Sequence, residues 1–75
     1  MDVVDILIHV HPAMDGENRE RIEKALLASD GVVTAVFSAE HPHTLVVAYD
    51  PEAAQSGRLL QIVREWDPAA SLVGL

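Results

Sequence analysis

The chain carries four histidines in two tight pairs, His9-Val10-His11 and His41-Pro42-His43, and it has no cysteine. Imidazole together with carboxylate suits Zn²⁺, Ni²⁺, Co²⁺ or Cu²⁺. Residues i and i+2 on a strand face the same way about 7 Å apart, a span that two imidazoles can close around one ion. His9, His11, His41 and His43 are therefore the candidate ligands for a divalent transition metal, with Asp15 and Asp67 as weaker candidates. A lone His-x-His is a weak signal, and histidines on a strand face or in a Pro-containing loop need no ligand at all. Asp15 is better suited to capping a helix, and Trp66 to the core or its rim. The chain shows no nucleophile motif or phosphate-binding loop, and 75 residues are too few to enclose a sizeable pocket, so an enzyme is not expected.

The elements that would position these side chains follow from the apolar spacing. Residues 3–10 alternate as a strand, with Val4, Ile6, Ile8 and Val10 on one face and Val3, Asp5, Leu7 and His9 on the other. His11 shares the face of His9, and Pro12 ends the strand. Asp15-Gly16-Glu17 opens a helix in which Ile22, Ala25, Leu26 and Ser29 recur at helical spacing, and Gly31 closes it. Residues 32–39 and 44–49 are expected as strands joined by the loop Glu40-His41-Pro42-His43. Asp50-Pro51-Glu52 is expected to start a second helix, with Leu59, Ile62, Val63 and Trp66 as its apolar stripe, halted at Asp67-Pro68. Ser71-Leu72-Val73 is short enough to be an edge strand.

The order βαββαβ predicts an α+β, ferredoxin-like sandwich: a four-stranded antiparallel sheet with both helices on one face, the third strand lying between the first and second. On this topology the end of the first strand, the hairpin and the loop before the last strand share one end of the sheet. That would gather both histidine pairs with Asp15 and Asp67, and it could set His11 beside His43.

Twelve Asp and Glu against five Lys and Arg give a formal net charge of −7. Such a field repels phosphates and anionic lipid, so neither nucleic acid nor membrane is an expected partner. It favours cations or a basic partner, and it also serves solubility. With 49% apolar residues clustered in short blocks, residues 1–75 should form one domain with a packed core. No segment approaches the ~20 apolar residues that span a bilayer. The acidic start Met1-Asp2-Val3-Val4-Asp5 is unlike a signal peptide, so a cytoplasmic location is expected.

Ile22-Glu23-Lys24-Ala25-Leu26, followed by Gly31-Val32 and later by Tyr49-Asp50-Pro51 with Leu59 and Val63 in register, resembles the heavy-metal-associated domain of copper chaperones and metal-transporting ATPases. The resemblance runs from about Ile6 to Trp66. It implies the same βαββαβ fold, with Tyr49 as a framework residue. The family holds soft metals on a G-M-T-C-x-x-C loop, which falls here on Pro12-Ala13-Met14-Asp15-Gly16-Glu17-Asn18. Asp15 and Asn18 stand where the two cysteines would be, and without sulfur there is no basis for high-affinity Cu(I) binding.

If Ala35, Phe37, Leu45, Val47 and Tyr49 face the helices, then Leu7, Val36, Val46 and Ala48 lie together on the opposite face. A contiguous apolar patch there suggests a homodimer or a docking surface for a protein partner, whereas scattered aliphatics would need no explanation. Two readings of function follow. One is a small module that holds or passes a divalent ion through the paired histidines. The other keeps the fold without the metal and acts as an interaction or regulatory module through the outer sheet face. A small-ligand regulatory domain on the same topology has no specific residue in its favour.

Overall fold

Alternating apolar side chains make β1 of Val4–His9, and the β-branched run after the first helix makes β2 of Val32–Phe37. Thr44–Tyr49 forms β3 and Ser71–Val73 forms β4. The helices are α1, Gly16–Leu27, and α2, Ser56–Arg64. The computed structural model describes residues 2–12 and 14–73. The strand order is β2-β3-β1-β4, and every neighbouring pair is antiparallel. Both helices cover one face, which is the ferredoxin-like α+β sandwich expected from the element order. None of the described helices is long and apolar enough to cross a membrane.

The core lies between the sheet and the helices. Ile8, Leu45 and Val47 from the central strands meet Ile22 and Leu26 of α1 and Leu59 and Val63 of α2, all essentially without solvent contact. Burying each such side chain is worth about 1.5–3 kcal/mol, which is how a small domain without disulfides holds together. Tyr49 is buried in this cluster, and Trp66 packs against it partly exposed, at the rim.

Four local features depart from the spacing read along the chain. β1 stops at His9, so His11 does not continue the strand; it begins a turn in which the Met14 N–H donates to the His11 carbonyl at 3.0 Å. β2 stops at Phe37, where the Phe37 N–H donates to Glu23 Oε2 of α1 at 2.9 Å and the Arg19 guanidinium lies 5.9 Å from the Phe37 ring centre. Glu23 thus supplies an acceptor that no further strand residue provides.

Gly31 does not close α1, which ends at Leu27 with Ala28 as its cap. Gly31 instead turns the chain with φ +85° beneath Ala53 and Ala54. Asp50-Pro51-Glu52 does not start α2 either. Asp50 caps a single turn, its side chain accepting from the Glu52 N–H and its carbonyl from the N–H groups of Ala53 and Ala54. Gln55 is then extended (φ −116°, ψ 138°) and α2 starts afresh at Ser56, because buried Ala54 anchors the break to the core.

Candidate functional site

One end of the sheet collects the chemistry-bearing residues. His9 is the last residue of β1, opposite Thr44 on β3 and Ser71 on β4. The Val10 N–H donates to the His43 carbonyl at 2.9 Å, so Val10 and not His11 sits across from His43 on the main chain. The hairpin is held by the Ser38 N–H on the Thr44 carbonyl (2.9 Å), the Thr44 N–H on the His41 carbonyl (2.8 Å) and the His41 N–H on Ser38 Oγ (3.2 Å). These bonds fix where His41 and His43 leave the backbone. The His9 and His43 rings come together edge-on with centres 5.3 Å apart, and His41 lies 6.4 Å from His43.

The carboxylates are engaged by main-chain groups. Asp67 is buried; its Oδ2 accepts from the His11 N–H at 2.7 Å and its Oδ1 from the Ala69 N–H at 3.0 Å. That side chain ties the end of β1 to the turn between α2 and β4. Asp15 is the N-cap of α1, with Oδ1 accepting from the Asn18 N–H at 2.8 Å. Asp15 and Asn18, which the resemblance sets at the thiolate positions, are therefore joined by the Asn18 main-chain N–H on the Asp15 carboxylate. With His11, Met14, Trp66 and Asp67 they line a shallow depression of about 260 Å³. Ala13 of the same loop lies outside the described residues.

Replacing Asp15 with Ala should cost about 1 kcal/mol through loss of the cap, measured as a lowered urea midpoint. A change under about 0.3 kcal/mol would mean that the cap contributes little. Among the described residues no group of three or more His, Asp or Glu is arranged to hold a metal ion. The structure thus brings His9 and His43 together and leaves Asp15 and Asp67 as backbone acceptors.

A larger open trough of about 1130 Å³ runs along α2, lined by Asp30, Ala53, Arg58, Glu65 and others. No histidine lines it, and it combines unlike charges with apolar side chains such as Ala53 and Ile62.

The outer sheet face presents a continuous apolar row. Residues opposite one another across a ladder project to the same side, and the register sets Val36 against Val46, Val46 against Leu7, and Leu7 against Val73. The row crosses all four strands, roughly 14 Å at 4.8 Å per strand. Val36 is 54% exposed, and Leu7, Val46 and Val73 are half-buried. Ala48 lies one row further along, beside Asp5 and Thr34.

Val73 is the member that strand parity in β1 to β3 does not reveal. Its face is set by pairing with Leu7, and the one signal in the chain is its i+2 spacing from Ser71, the partner of His9. Every Lys and Arg lies in α1 or α2, so the paired positions of this face carry Asp5 and His9 as their only ionisable groups.

No family model matches the chain, and no curated protein matches it. Solved structures do. Oxidized MerP from Ralstonia metallidurans CH34 superposes with a TM-score of 0.79 at 15% identity, covering 97% of this chain and 100% of that one. A copper binding domain from HMA7, a P-type ATPase, gives 0.77 at 17% identity over 93% of each chain. The CopZ metallochaperone gives 0.75 at 20% identity, over 93% of this chain and 100% of its own. These likenesses establish a common fold.

Proposed function

We propose that the chain is a small non-catalytic docking module, built on the fold of metallochaperones and of the metal-binding domains of transport ATPases, that meets its partner through the outer face of its sheet. The observation that carries this reading is the row Val36, Val46, Leu7 and Val73 across all four strands. The partner that fits is a second copy. The paired positions of the face have no Lys or Arg and a single carboxylate, so a charged partner surface would find almost nothing there to pair with, while an identical face buries apolar side chain against apolar side chain. A stable interface needs about 800 Å² per partner, under a fifth of the 4642 Å² surface and within one face of a two-layer molecule.

The MerP, HMA7 and CopZ structures support a link to metal handling at the level of fold. In this chain, the loop that would hold a soft metal has Asp15 and Asn18 bonded to each other.

Sedimentation of the full chain tests the reading. The wild type is expected to associate, and Val36→Glu and Val46→Glu to be monomeric. Stability should change by no more than about 0.5 kcal/mol at exposed Val36. A wild type that stays monomeric with and without divalent ions, or glutamate variants that associate as well as it does, would sink the docking face.

A further inference from the structure

We propose that His9 and His43 form half of a divalent metal site, completed by the same two residues of a second copy stacked on the outer sheet face. This rests on the docking face described above and adds an ion to it. The spacing of the two rings carries the argument. With a metal–nitrogen bond of about 2.0–2.1 Å and the ring centre about 1.1 Å beyond the nitrogen, two imidazoles on one tetrahedral ion have centres about 5.2 Å apart. His9 and His43 stand at 5.3 Å. The same arithmetic turns the 6.4 Å between His41 and His43 into a nearly straight nitrogen–metal–nitrogen angle, which a tetrahedral ion does not accept.

Two ligands are too few, since a closed tetrahedral site takes four, and among the described residues no third His, Asp or Glu joins the pair in a metal-holding group. The others must come from outside. His9 projects from the outer face two residues beyond Leu7 on the same strand. Sheets packed face to face lie about 10 Å apart, so an ion midway is about 5 Å from each, within reach of an imidazole from either side. A twofold axis running between the sheets along the strands and through the ion maps one histidine pair onto the other. Because the ion lies between β1 and β3, the same axis lays Leu7 over Val46 of the second copy and Val36 over its Val73. No Lys or Arg stands on this face to repel the ion.

Co²⁺ is the probe, because its tetrahedral complexes absorb visibly, and sedimentation of the same samples reports association. Wild-type full chain should saturate at one ion per two chains, with dimers forming as the absorption grows. His9→Ala and His43→Ala should each lower Co²⁺ affinity and metal-linked association at least tenfold, while His41→Ala retains both. Circular dichroism confirms that each variant is folded. Saturation at one ion per chain in a monomer overturns the shared site. A dimer that forms equally in EDTA and is lost in Val46→Glu overturns the metal and leaves the docking face standing. Association that needs Co²⁺ and both histidines but ignores Val46→Glu overturns the stacking and the docking face with it.

Discussion

Gly31→Ala is expected to lower folding stability by about 2–5 kcal/mol, seen as a lower urea midpoint with Trp66 fluorescence as the reporter. Two effects combine. At φ +85° a side chain pays for the left-handed conformation, about 1–2 kcal/mol. A Cβ at this position would also stand 2.8 Å from Ala53 Cβ and 3.1 Å from both the Ala53 carbonyl carbon and Ala54 Cβ. Backbone cannot swing aside as a long side chain does, and overpacking of this kind costs about 1–3 kcal/mol. Retreat of the chain would also stretch the 2.7 Å hydrogen bond from the Asp50 N–H to the Gly31 carbonyl. A domain of this size has roughly 4–11 kcal/mol in total, so the variant should lose a large part of it. Ala53→Gly on the same background should return the part of the steric cost that comes from the Ala53 Cβ, and leave the two 3.1 Å contacts and the conformational cost in place. A Gly31→Ala protein within about 0.5 kcal/mol of wild type would mean that the turn is not packed as described.

Asp67→Ala should cost about 2–3 kcal/mol in metal-free buffer, because two main-chain donors lose a charged acceptor at once. The His11 and Ala69 N–H groups are joined through this one side chain, which ties the end of β1 to the turn after α2. Asp67→Asn retains one acceptor oxygen and is expected to lose about half as much. Urea titration in EDTA makes the test specific: a residue whose role was ligation would change metal affinity and leave the metal-free protein as stable as before. Equal stability of Asp67→Ala and wild type in EDTA would show that the clasp is dispensable.

Much of the fold was legible along the chain because it depends on local periodicity. The alternation about Ile8, the helical spacing of Ile22 and Leu26, and the apolar run of β3 mark elements whose buried faces leave few ways to pack. The second helix was harder to delimit. Asp50-Pro51 has the chemistry of a helix start and does make one turn, but whether the turn continues depends on Ala54 reaching the core, which is a tertiary event. Gly31 likewise has the composition of a helix stop, while its need to be glycine comes from Ala53 and Ala54 more than twenty residues away.

The candidate site divides in the same way. Residue types determined which chemistry was available: imidazole without thiolate, carboxylates able to cap or ligate, and a strand face of aliphatics lacking Lys or Arg. By resemblance they also set Asp15 and Asn18 where the heavy-metal-associated domains carry cysteine. Only the tertiary structure decided which of these groups meet. Ending β1 at His9 removed His11 from the strand and put His9 against His43, and pairing β4 with β1 added Val73 to the apolar row. Two backbone amides from different parts of the chain claimed the carboxylate of Asp67. The physical reason is that periodicity sets which way a side chain faces, whereas strand ends, register and the settling of backbone donors are chosen by the whole fold at once.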